Sequence, residues 1–197
     1  MPFSRIFLSR QTYIFLKSNI FSRGDVSVKV EKSFWSSLIG FFTVSLMGVV
    51  GHFLYNLSGN NPFIGLFMPV NESVWEHLKL LFFPFMLYAF IEFALYGKKI
   101  SGFLFSRITG VILGLVFIPA AYFIYTAVIG KNFAPLDILL YFIGVFLSFN
   151  ISYQRILHGH DKNIWRTISA IVLFLGISAL FIGLTFYPPN TALFNSP

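Results

Sequence analysis

The sequence predicts an all-α fold, a polytopic membrane helix bundle with about five transmembrane helices. Hydrophobic residues make up 56% of the chain and aromatic residues 20%, and the mean hydropathy is +0.77, which is not the composition of a water-soluble domain. Several apolar runs reach about 20 residues, enough to cross a hydrocarbon core of about 30 Å. Because backbone polar groups in lipid must bond within their own segment, these runs predict helices rather than strands.

The charge pattern favours a membrane over other partners. The net charge is +7, but the basic residues lie between the apolar runs and form no stripe with interleaved aromatic residues. We therefore expect the lipid bilayer and its anionic headgroups as partners, and no nucleic acid. The chain has no cysteine, which excludes disulfides and thiolate metal sites. A multi-pass protein of the cell membrane is the expected class.

Residues 1–32 predict a basic interfacial arm on the cytoplasmic side. Six Lys and Arg residues stand against two acids there and interrupt the apolar residues, so a signal peptide is not expected. The basic side chains would lie among anionic headgroups. The alternative is a disordered tail that only fixes orientation. Residues 33–197 then form a single five-helix transmembrane domain.

The five predicted spans differ in how closely they can approach a neighbour. They run over about Phe34–Leu57, Leu78–Tyr96, Phe103–Ile129, Pro135–Tyr153 and Thr167–Tyr187. Small residues recur every four positions in the third span, and the fourth has a similar row; the members are Gly102, Ser106, Gly110 and Gly114, then Gly144, Ser148 and Ser152. Such rows let helix backbones approach closely, so these two spans are expected to pair.

The loops between the spans predict the orientation. Lys98 and Lys99, the segment 155–166 and the N-terminal arm carry most of the basic residues, so we expect the N-terminus inside and the C-terminus outside. The outer segment 58–70 contains Gly, Pro and Asn but is otherwise apolar. An apolar loop avoids water, so it is expected to fold back as a capping loop on the outer end of the bundle.

The segment 69–80, PVNESVWEHLKL, concentrates polar side chains in a chain with 11% charged residues. With neighbouring outer positions it predicts an outer polar site, whose candidate members are His52, Asn56, Glu72, Glu76, His77 and Asp137. Two histidines and a carboxylate suit Zn, Mn or Fe, so His52, His77 and Glu76 are candidate ligands of a divalent metal, with Glu72 as a further carboxylate. Alternatives remain open: Glu76 completes a capping box with Ser73, the histidines are hydrogen-bonded, or the group handles protons without metal.

A second set of polar residues is expected near the inner surface. Glu92 and Arg107 fall at matching depth, and charged groups inside a membrane usually pair. With Asn150 they predict an inner charge clamp, and the alternative is a proton or ion pathway. His158 and His160 also belong to the inner side. The four histidines of the chain therefore cannot form one site.

Several segments together point to a known family. They are Gly51-His52-Phe53-Leu54-Tyr55, Ser58-Gly59, the segment 69–80, Phe82-Phe83-Pro84 and Thr185-Phe186-Tyr187-Pro188-Pro189. In these the chain resembles a family of uncharacterised bacterial multi-pass membrane proteins, a domain of unknown function. The resemblance implies the fold and membrane residence, but no activity and no catalytic residues.

Three functions are compatible with the sequence. The first is a small non-enzymatic transporter-like or accessory component with an outer polar pocket. The second is a membrane-embedded hydrolase or transferase, with or without a metal, acting on a lipid or an envelope precursor. The third is a structural scaffold. The sequence has no nucleophile elbow, P-loop or zincin motif, which disfavours an enzyme, and no inverted repeat, which disfavours a standard transporter.

Overall fold

The computed structural model describes residues 24–158 and 163–196, with side chains from residue 31 onward. It contains five long helices: α1 (Gly24–Leu57), α2 (Val74–Leu95), α3 (Phe103–Ile129), α4 (Ala134–Leu157) and α5 (Ile164–Phe186). All five are long and apolar enough to cross a membrane, and no strand occurs in the described ranges. The predicted fold class is confirmed. Residues 24–32 of the predicted arm are helical and continuous with the first span; residues 1–23 lie outside the described part.

The alternating direction of the helices gives the bundle two polar ends. The first, called the His77 end, contains the end of α1, the start of α2 and the end of α5, where Thr185 donates a hydrogen bond to Glu76. The second, called the Arg107 end, contains the end of α2, the start of α3 and the end of α4, where Arg107 donates to Ser152. Polar side chains distant in sequence therefore meet at two separate places.

Helices α3 and α4 form the closest seam of the bundle. A Cβ atom placed on Gly114 would overlap the Ser148 hydroxyl and lie 2.9 Å from the Gly144 carbonyl oxygen. A Cβ on Gly110 would overlap the Ser148 carbonyl and lie 2.7 Å from Ser152 Cβ. The pairing predicted from the two rows of small residues is confirmed, because only small side chains permit this approach.

Helix α2 lies at the centre of the bundle. Its side chains Phe82 and Phe85 are fully buried. The Phe82 ring stacks on Phe174 of α5 at 5.9 Å between centroids, and the Phe85 ring lies 4.5 Å from Phe149 of α4. This apolar layer separates the two polar ends.

Two further segments lie against the His77 end; the first contains a single helical turn at Pro62–Gly65. In the segment 58–70, called the capping loop, the Met68 sulfur would be 2.7 Å from a Cβ on Gly51 of α1. In the C-terminal tail, residues 187–196, the Leu193 carbonyl accepts a hydrogen bond from the backbone N–H of Trp75 at 3.0 Å. The Trp75 ring also lies 5.0 Å from the Phe194 ring. Loop and tail together cover the start of α2.

Candidate metal centre

The first turn of α2 is fixed by a side-chain cap. The Ser73 hydroxyl accepts a hydrogen bond from the Glu76 N–H at 3.4 Å, and the Asn71 side chain accepts one from the Ser73 N–H at 2.9 Å. The reciprocal half of the expected capping box is wrong, because the Glu76 carboxylate accepts from the Val70 N–H at 3.0 Å instead. Ser73 therefore caps the helix, and the Glu76 carboxylate takes no part in the cap.

Three side chains converge beside this cap. His52 comes from α1, Glu72 lies just before the α2 cap, and His77 lies in the first turns of α2. One ligand atom from each lies within 4.8 Å of the other two. The two imidazole ring centroids are 5.1 Å apart. The Glu72 side chain is 65% exposed and that of His77 33%, so solvent reaches the cluster.

The hydrogen bond of His77 determines which ring nitrogen carries its free lone pair. Its Nδ1 lies 2.9 Å from the Ser73 carbonyl oxygen, which can only accept, so Nδ1 carries a proton. In a neutral imidazole Nε2 is then an acceptor, and it lies 3.4 Å from the Glu72 Oε2, another acceptor. Two acceptors at this distance do not bond each other directly. A metal ion that accepts a lone pair from each would join them.

Glu76, the carboxylate expected as a metal ligand, lies outside this cluster. Its Oε2 accepts hydrogen bonds from Lys79 Nζ at 2.7 Å and from the Val70 N–H at 3.0 Å. Its Oε1 accepts from the Thr185 hydroxyl at 2.9 Å. Glu76 is 2% exposed and Lys79 is fully buried. The carboxylate that joins the two histidines is Glu72, because Glu76 faces the bundle interior and is neutralised there.

The other two members of the predicted outer site are placed elsewhere. Asp137 accepts a hydrogen bond from the Tyr125 hydroxyl, which itself accepts from the Phe133 N–H at 3.2 Å. Asp137 thus closes the turn between α3 and α4. Asn56 is exposed in the last turn of α1, and in the described part of the chain its side chain makes no hydrogen bond to the cluster.

At the Arg107 end, Glu92 and Arg107 form a buried ion pair. Arg107 donates to Glu92 Oε1 at 2.5 Å and to the Ser152 hydroxyl at 2.6 Å. Ser37 of α1 accepts from both terminal nitrogens of Arg107, at 3.3 and 3.4 Å. Ser36 donates to Glu92 at 2.5 Å. The guanidinium also lies over the rings of Phe103 and Phe149, at 5.2 and 5.3 Å.

Other inner candidates lie outside this network. The Asn150 side-chain oxygen is buried and has no hydrogen-bond partner among the described residues. Tyr96 does belong to the network, since its hydroxyl donates to Glu92 at 2.9 Å. A tyrosine hydroxyl is protonated at neutral pH, so it can donate to the carboxylate. His158 is exposed at the end of α4; His160 is outside the described residues.

Sequence reasoning did not include Lys79, Thr185, Ser36, Ser37 or Tyr96 in either polar set. For Lys79 a signal was present, because an acid and a base three residues apart on an apolar helix usually pair. For the serines the signal was weaker, a short polar row at the start of an otherwise apolar span. Thr185 gave no signal, because only the packing of α5 on α2 brings it to Glu76.

Comparison with known proteins adds one match. The model of a family of unknown function (DUF6512) matches residues 26–197, which include both polar ends and all but the first residues of α1. No curated protein and no solved structure matches the chain. The function must therefore be argued from the site.

Proposed function

We propose that this chain, which belongs to the DUF6512 family of unknown function, is an integral membrane protein that binds one divalent transition-metal ion through His52, Glu72 and His77. The observation that carries the proposal is the approach of three ligand atoms to within 4.8 Å of one another. Two imidazoles and a carboxylate suit Zn, Mn or Fe. Ligands of one ion lie about 3–4 Å apart when each bond is about 2.0–2.2 Å, so small side-chain rotations close the site.

The hydrogen bonding of His77 supports a metal. The Ser73 carbonyl holds the Nδ1 proton, which leaves the Nε2 lone pair available to a metal, 3.4 Å from Glu72 Oε2. In metal sites the other ring nitrogen of a ligating histidine usually donates to a carbonyl or carboxylate in this way. His52 adds a second imidazole to the cluster. A metal ion would use it as a ligand, whereas a hydrogen bond between His77 and Glu72 would not require it.

Three protein ligands leave coordination positions open for water or a solute. The cluster is partly exposed, and it lies where α1 ends and α2 begins, beside the capping loop. A solute could reach a metal bound there, because the Glu72 and His77 side chains are partly exposed. This supports a metal-binding accessory component more than a closed structural site.

Two observations weigh against the other functions. A hydrolase or transferase would need a free base near the metal, but Glu76 is occupied by Lys79, Thr185 and the Val70 N–H. A transporter would need a polar route between the two ends, but Phe82 and Phe85 are fully buried between them. Non-enzymatic metal binding is therefore the function that the geometry supports best.

The location follows from the basic residues. Lys98, Lys99, Arg155 and Arg166 lie at the Arg107 end, so this end faces the cytoplasm of a cell-membrane protein and the His77 end faces outward. The N-terminal arm then contacts anionic headgroups from inside.

Because the chain has no cysteine, single substitutions such as Asn60→Cys and Lys98→Cys can be labelled separately. Labelling of Asn60→Cys alone by an impermeant maleimide on intact cells is expected, and the reverse would overturn this orientation.

Elemental analysis of the detergent-purified chain tests the metal site. The protein is stripped with chelator, reloaded separately with Zn²⁺, Mn²⁺ or Fe²⁺ and desalted. We expect about one metal ion per chain in the wild type, from three protein ligands, and loss of that ion in His52→Ala and His77→Ala. Glu72→Gln is expected to weaken loading, because it removes the charged ligand.

The matched control is His158→Ala, which removes an exposed histidine at the opposite end. It should load like the wild type. A wild type that retains none of the three metals would overturn the proposal. Loading that survives both His52→Ala and His77→Ala would place the metal elsewhere.

A further inference from the structure

We infer that the buried Glu76–Lys79 pair is the positioning element of the metal centre, holding Glu72 and His77 in ligand geometry and connecting them to the C-terminal helix. The effect of the pair on metal affinity rests on the proposed function. Neither residue contacts the metal in this role. Both act through the backbone that carries the ligands.

One buried carboxylate joins three segments of the chain. Glu76 accepts hydrogen bonds from Lys79 within α2, from the Val70 N–H of the capping loop and from Thr185 of α5. The Lys79 ammonium also donates to the Gly65 carbonyl of the capping loop at 2.9 Å. The pair thus fastens the loop at two points, five residues apart. A charged group that bonds backbone inside a low-dielectric interior holds it firmly, because breaking the bonds leaves the charge unsatisfied.

This fastening reaches the ligands directly. Glu72 lies two residues after Val70, which Glu76 holds, and one residue before Ser73, which caps α2. Its backbone is therefore fixed on both sides, although its side chain is largely exposed. His77 follows Glu76 immediately and bonds the Ser73 carbonyl. Removing the pair frees the segment 65–72 and disperses the ligands.

The same carboxylate connects the site to the tail. Thr185 precedes the end of α5 by one residue, and the tail beyond it accepts the Trp75 N–H at Leu193. Docking of the tail and binding of the metal therefore use one shared element. If docking of the tail changes the metal affinity by some factor, binding of the metal changes docking of the tail by the same factor.

Zn²⁺ and Co²⁺ titrations of the full chain in detergent test the inference. Lys79→Met is expected to weaken binding of both ions by about 10–100-fold, the usual effect of losing an outer-shell partner. Glu92→Gln is the matched control, since it disrupts the other buried ion pair and also lowers thermal stability. Its metal affinity should remain within about threefold of the wild type. Equal affinity in Lys79→Met and wild type would overturn the inference, and so would an equal loss in Glu92→Gln, which indicates general destabilisation.

Hydrogen exchange separates failure of this inference from failure of the proposed function. Without any metal, Lys79→Met should accelerate amide exchange over residues 65–73, while Glu92→Gln leaves that segment unchanged. If the wild type binds no metal but this contrast is seen, the pair still positions the segment and only the metal proposal is wrong. If exchange of the segment is the same in Lys79→Met and wild type, the pair does not hold the loop and the inference is wrong.

Discussion

The two buried ion pairs of the bundle hold different things together. At the Arg107 end, the pair and its serines join side chains of α1, α2, α3 and α4. At the His77 end, Glu76 and Lys79 lie on one helix and bond the backbone of a loop and the hydroxyl of Thr185. The first pair fixes helix against helix. The second fixes the start of α2, beside the candidate ligand Glu72, to the capping loop and to α5.

The positively charged residue of each ion pair suits the partners that it binds. The guanidinium of Arg107 is a rigid fork whose nitrogens reach Glu92, Ser37 and Ser152 from three helices. The ammonium of Lys79 is a point charge on a flexible stem that bonds one carboxylate and one carbonyl. Arginine suits fixed geometry with several partners, while lysine adapts to a loop. Arg107 therefore joins side chains of four helices, and Lys79 joins α2 to the backbone of the capping loop.

The largest expected effect is that of Arg107→Met. It leaves Glu92 buried without a counter-charge, which typically costs about 3–5 kcal/mol. Lys79→Met should cost less, about 1–3 kcal/mol, because opening of the loop lets water reach Glu76. Thermal and denaturant unfolding in detergent would compare the two. A cost of Lys79→Met equal to or above that of Arg107→Met would remove the distinction between the ends.

The double variant Glu92→Gln/Arg107→Met is the control for this interpretation. It removes both charges, so it should be more stable than Arg107→Met alone. If the double variant is the less stable of the two, the unpaired charge is not the cause of the loss.

A smaller effect is expected at the helix seam. Gly114→Ala places a methyl group against Ser148 and the Gly144 carbonyl, and overpacking of this kind costs about 1–3 kcal/mol. Gly176→Ala is the matched control, since a Cβ there meets nothing within 4 Å. Unfolding of the two variants tests whether the seam of α3 and α4 is rigid. Equal stability would show that α3 and α4 move apart enough to accept the added methyl group.

The fold was predictable because its signals are local. The third span was placed at Phe103–Ile129, where the structure has α3, and the other boundaries differ by a few residues apart from the start of α1. Apolar length decides where a helix can span a membrane. The small residues that decide which helices pair are also visible in sequence, as the seam at Gly110 and Gly114 shows.

The site was predictable only in part, because it depends on side-chain direction. The sequence brought His52, Glu72, Glu76 and His77 to one end, but it did not tell which glutamate faces the histidines. That choice follows from Lys79, which draws Glu76 inward, and from Thr185, which is 109 residues away in sequence. The approach of such distant residues is a property of packing, which a single sequence does not display.

The smallest effect is expected from Thr185→Val. The substitution keeps the shape of the side chain and removes its hydrogen bond to Glu76, worth about 0.5–1.5 kcal/mol. Amide exchange near Leu193 should accelerate, because α5 loses its polar contact with α2 close to the tail. Thr126→Val is the control: among residues 24–158 and 163–196 its hydroxyl bonds only carbonyls of its own helix, Tyr122 and Phe123, so it should leave the tail unchanged. If Thr185→Val also leaves tail exchange unchanged, the tail is held by Trp75 and its aromatic contacts alone, and the covering at the His77 end divides into two independent parts.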